Sequence, residues 1–174
     1  MTAPPAPRSR RKWWILGSAL GVLLIAAFVT PSLLAARQSS LETNAVGGCR
    51  AYCSAQSMYH RNDWDGDKKL EYAHPYTELN VQIGNPIGYV EEPFLRGEPE
   101  HGYKFKDMET IAGQAIDWEN DYALCATPVE YGVTGWRTFI VSTNGTVFGK
   151  DLGKSEFVKD YPRDPSLEGW LIAE

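Results

Sequence analysis

The chain has 174 residues, 43% apolar and 22% charged, which suits one packed domain with additions and excludes a disordered chain. Its net charge of −5 is uneven: residues 1–37 carry Arg8, Arg10, Arg11, Lys12 and Arg37 and no acid, so all 22 acids share residues 38–174 with the remaining 12 bases. So acidic a domain repels phosphate backbones, and no basic groove with interleaved aromatics appears, which excludes nucleic acid as a partner.

From Trp13 to Ala36 no residue is charged. As a helix this run would extend roughly 36 Å, enough for a hydrocarbon core of about 30 Å. The apolar part of a secretory signal is shorter, roughly 7–15 residues. The basic cluster before the run, with only Arg37 after it, puts the N-terminus in the cytoplasm, and Trp13 and Trp14 suit the interface. The expected organisation is a cytoplasmic basic tail (1–12), a single-pass transmembrane helix in the lipid bilayer (13–36) and an extracytoplasmic domain (37–174) at the cytoplasmic (inner) membrane. The alternative is a cleaved signal ending near Arg37. Leu34 then occupies a position that calls for a small residue.

Residues 31–63 read as a helix rich in Ala, Leu, Gln, Glu and Arg. Leu34, Leu41, Ala45, Cys49, Cys53, Gln56 and His60 recur at helical spacing and mark one mildly apolar face. Pro31 predicts a bend, and Gly47-Gly48 a weak point. Three cysteines leave several readings. All three serve as small buried residues, or Cys125 bridges to Cys49 or Cys53 in an oxidising compartment, or Cys49, Cys53 and His60 hold a soft metal. A Cys49–Cys53 bridge within one helix is strained.

The stretch "DWDGDKKLE" sets Asp63, Asp65 and Asp67 at alternate positions, with Glu71 beyond, as in a calcium loop supplying hard oxygens from a tight turn. Lys68 stands where the sharp-turn glycine belongs and His74 where the bidentate glutamate belongs. The competing reading is a polar helix-to-loop turn. No resident cofactor is expected unless this loop takes calcium.

Strand-like runs follow at 102–108, 121–129 and 136–142, then "TVFGKDLG", with Asn144-Gly145 as a hairpin turn and 130–135 as a second turn. Residues 154–174, with Pro162 and Pro165, read as an irregular tail docked by Trp170. None of His60, His74 and His101 lies in a nucleophile, zinc-protease or phosphate-loop pattern, so an enzyme is not expected.

Residues 31–60, "PSLLAARQSSLETNAVGGCRAYCSAQSMYH", resemble the N-terminal helix of type IV pilins and type II secretion pseudopilins. Ser9 and Arg10 stand where that family has its Gly-Phe processing site, and Trp14 where it has its stem glutamate. Residues 53–170, with "GYKFK" and "GVTGWRTFIVSTNGTVFGKDLG", resemble an uncharacterised bacterial family of pilin-like envelope proteins, a domain of unknown function. The resemblance implies an α+β fold: a long N-terminal helix, transmembrane stem plus amphipathic half, packed on a three- to four-stranded antiparallel sheet. The expected function is a non-catalytic structural, assembly or partner-binding role, with envelope, secretion or pilus-type proteins as partners. A calcium- or metal-binding module is the alternative and an enzyme the third.

Overall fold

The structure, a computed structural model, describes residues 10–63, 66–79, 94 and 96–173, with side chains from residue 32 onward. The tail 1–9 and the side chains of residues 13–31, on which the expected transmembrane span mostly rests, lie outside the described residues. Among the described residues no helix is long and apolar enough to cross a membrane. The chain divides into two compact units, Met1–Arg37 and Gln38–Glu174. The first consists, where described, of helix, with residues 32–37 exposed; the cores and the cleft described below belong to the second.

One helix, α1, runs Arg10–Tyr59. Within the second unit its buried face is Glu42, Ala45, Val46, Cys49, Tyr52, Ala55, Gln56 and Tyr59, steps of three and four that keep one stripe inward. The large member is Tyr52, fully buried, so the face is centred differently from the Leu34–His60 row read from the sequence, and Leu34 is exposed. At Gly48 a methyl group would meet Phe105 Cζ at 2.8 Å, so this glycine lets the phenyl ring press on the helix backbone.

The stripe packs on a five-stranded antiparallel sheet, order β1-β4-β5-β6-β8: β1 Tyr103–Asp107, β4 Ala123–Pro128, β5 Arg137–Ser142, β6 Phe148–Asp151 and β8 Leu171–Ile172. A second sheet, order β3-β2-β7, joins β2 Thr110–Ile111, β3 Gln114–Ala115 and β7 Asp160–Tyr161, with β2 and β7 parallel. The expected fold, a helix on one sheet of three or four strands, is thereby corrected: the described domain is mostly β, with two sheets. The tail read as irregular supplies β7 and β8. Trp170 is buried there, 4% exposed.

Two cores explain the composition of the central strands. Strand side chains alternate between faces. Leu124, Ala126, Phe139 and Val141 meet the helix, whereas Ala123, Cys125 and Ile140 meet Met108, Phe148, Tyr161 and Trp170. A strand covered on both faces reads as a continuous apolar run, which is why "YALCATP" and "TFIVS" do not alternate. The β5–β6 turn lies at Asn144-Gly145. Only Gly145 takes positive φ, at +72°, and its N–H donates to Ser142 O, so Asn144 keeps ordinary backbone and its Oδ1 accepts from Thr146 N.

Candidate functional site

Three stretches enclose a cleft of about 470 Å³: His74–Tyr76, Lys106–Glu109, and Ala115, Ile116 and Trp118. Strand β1 brings one wall. Its period of two turns Tyr103 and Phe105 inward, and Asp107 falls in the same phase at the strand end. The segment after α1 brings the second wall, held by Gln56. That buried side chain accepts from Ala73 N at 2.8 Å, and its Nε2 donates to Ala73 O and Tyr52 Oη, both at 2.9 Å. The amide thus serves Ala73 as a neighbouring strand would, and fixes His74 beside it.

Asp107 is the electrostatic centre. Its side chain is 8% exposed. Tyr76 N donates to its Oδ2 at 2.8 Å, the Tyr52 hydroxyl lies 3.4 Å from Oδ1, and His74 Nδ1 lies 3.4 Å from Oδ2. Burial raises the Asp107 carboxyl above the usual range, against the opposing pull of the Tyr76 N–H and of His74. His74, half exposed, stacks on Trp118 with ring centroids 4.0 Å apart and planes 16° apart. Burial, with the Asp107 charge adding to it, also pushes the Tyr76 hydroxyl up to about 12.

The volume and the mixture, mostly apolar walls with a few convergent polar groups, are those of small-ligand clefts. The cleft offers an acceptor at Asp107, an imidazole ring at His74 and two opposite charges, Lys106 in β1 and Glu109 just after it. Among the described residues lining it there is no serine, threonine or cysteine, so no side-chain nucleophile of those types adjoins the His74–Asp107 pair.

The residues singled out from sequence lie elsewhere. Asp63 Oδ1 accepts from Gly66 N and Oδ2 from Lys68 N, and Asp67 Oδ1 accepts from Lys69 N, the geometry of a turn closed by its own aspartates. Glu71 is exposed, and Asp65 lies outside the described residues. Among the described residues no group of three His, Cys, Asp or Glu is placed to hold a metal ion.

Cys49, Cys53 and Cys125 are free thiols. Cys49 belongs to the core between helix and sheet, Cys125 to the core on the other face of β4, where its Sγ accepts from Val158 N at 3.4 Å. The sheet therefore separates the partners of the expected bridge. Burial raises all three thiols, Cys49 well above its ordinary value and Cys125 to about 12.

Sequence reasoning missed His74, Asp107 and Trp118, which no motif links. One signal was available: an acid in phase with Tyr103 and Phe105 on an alternating strand is an acid pointed inward.

The model of a family described as "Protein of unknown function (DUF2950)" matches residues 89–161, less than half of the chain. The matched stretch includes β1, Asp107 and Trp118. That description assigns no activity, and nothing in it points to pilins or pseudopilins. No curated protein and no solved structure matches the chain.

Proposed function

We propose that the protein is a single-pass envelope protein whose domain, residues 38–174, lies outside the cytoplasm and binds a partner without catalysing a reaction. The uncharged run 13–36 behind a basic cluster supports the anchorage. The observation that carries the binding role is the cleft: a half-buried Trp118–His74 stack over a buried carboxylate, walled by Met108 and Ile116. A partner that fits it has an apolar group for these walls and a hydrogen-bond donor for Asp107.

Two further buried polar side chains, Glu42 and Gln56, are occupied by structural work. Glu42 accepts from Trp136 N and from Arg137 Nε, both at 2.8 Å, and Gln56 is saturated by Ala73 and Tyr52. Burial favours the protonated, less reactive form of the Cys49 and Cys125 thiols.

Photocrosslinking in the membrane fraction tests this reading. A photoreactive residue at Ala115, exposed on the cleft rim, is expected to give a discrete higher-mass species, and the same residue at Glu130, exposed beyond the other end of β1 where Tyr103 pairs with Pro128, none. Identical behaviour at the two positions defeats the cleft as the binding surface. Release of the protein by alkaline extraction defeats the anchorage.

A further inference from the structure

The domain begins at Gln38, and its first residues are tied to one turn. The Trp136 indole Nε1 donates to Gln38 Oε1 at 3.1 Å, and Gln38 Nε2 donates to Gly132 O. One helical turn further, Glu42 Oε1 accepts from Trp136 N at 2.8 Å and from Arg137 N at 3.2 Å, while Oε2 accepts from Arg137 Nε. The turn between β4 and β5 is thus fastened to the first two turns of the domain's helix at several points.

Apart from Glu130, the exposed side chains of this turn are apolar. Val129 is 39% exposed, Val133 54% and Trp136 46%. Tyr131 packs edge-on against Trp136, ring centroids 5.1 Å apart, and its hydroxyl donates to Asp151. An exposed tryptophan and a partly exposed tyrosine, their polar tips satisfied, flanked by valines, have the chemistry of the headgroup–acyl boundary.

Gln38 directly follows Arg37, and adjacent Cα atoms lie about 3.8 Å apart. Chain connectivity alone therefore holds this turn within a few residues' reach of Ala36, the last residue of the uncharged run, at whatever angle the stem leaves the domain. We infer that the Val129–Trp136 turn rests in the outer interfacial layer of the bilayer and that its partner is the lipid surface itself. The inference depends on the proposal that residues 13–36 are a retained span. It adds an aromatic collar at the exit of the span to match Trp13 and Trp14 at its entry. Glu130 within the turn and Asp151 beside it oppose deep insertion and anionic headgroups, so contact is shallow and favours zwitterionic lipid.

Full-length protein in phosphatidylcholine vesicles provides the test. A nitroxide is placed on Val133→Cys or on Asn144→Cys, at the opposite end of β5, in a Cys53→Ser background; Cys49 and Cys125 are buried. The ratio of collision with oxygen to collision with a polar nickel chelate is expected to be several-fold higher at 133 than at 144. Equal ratios from protein that floats with the vesicles overturn this inference alone and leave the anchorage standing. Protein that does not float overturns both.

Discussion

At the scale of single residues the two adjacent glycines of α1 behave oppositely. Around Gly47 an added methyl group meets nothing within 4 Å, and the residue is exposed. Gly47→Ala therefore gains helix propensity without a clash and is expected to stabilise the domain by about 1 kcal/mol. At Gly48 the same methyl group runs into Phe105 at 2.8 Å. That ring is itself packed against Phe94, centroids 4.7 Å apart, so it has no cheap retreat. Overpacking of about 1–3 kcal/mol exceeds the propensity gain, and Gly48→Ala is expected to be net destabilising. Urea unfolding of the two variants decides it: shifts of the same sign would remove the Phe105 contact as the reason for Gly48. From sequence both glycines look like weak points in a helix, because the close approach depends on a strand more than fifty residues away.

At the scale of elements the strands that were legible are those with a pattern of their own. β1 alternates, and β4 and β5 are apolar runs between turns. β7 and β8 have two residues each and sit beside Pro162 and after Gly169, so neither has a period to read. Their pairing is decided by the second core, which Met108, Tyr161 and Trp170 close on the far face of the main sheet. The same unseen layer governs the cysteines. On a strand with one covered face Cys125 would point either to the helix or to water; with both faces covered it is buried away from Cys49. The cleft escaped notice for a similar reason, since His74 and Asp107 lie on segments more than thirty residues apart that meet only through tertiary contacts such as Tyr76 N to Asp107. A consequence is measurable in the thiols. Cys53, half-buried, is expected to react with a maleimide in the native domain, slowly because burial raises its pKa. Cys49 and Cys125, whose thiols burial raises further, are expected to react only after unfolding. Mass spectrometry after timed labelling resolves this, and Cys125 modified as fast as Cys53 in folded protein would contradict the two-faced burial of β4.

At the scale of the whole molecule the question is what the second unit needs from the first. The buried residues described span Glu42–Ala173, all inside the second unit, and both cores are assembled from them. The helix start within that unit does not rely on the preceding turns for its hold on the sheet. Gln38 is fixed to Gly132 and Trp136, and Glu42 to Trp136 and Arg137. Cutting before Gln38 exposes the N–H groups of a new helix terminus, but water reaches Ser39 and Ser40, which are exposed, so those donors are solvated rather than buried. The loss is then fraying of about one turn and not removal of core contacts. Residues 38–174 expressed alone are expected to unfold cooperatively, with a melting temperature within about 4 °C of the same transition in the full chain, as a change below about 1 kcal/mol produces at this size. Near-UV dichroism from the packed aromatics, Tyr52 against Tyr122 and Trp118 against His74, is expected to persist. A broad, non-cooperative transition without that signal would mean that the domain draws stability from residues before Gln38.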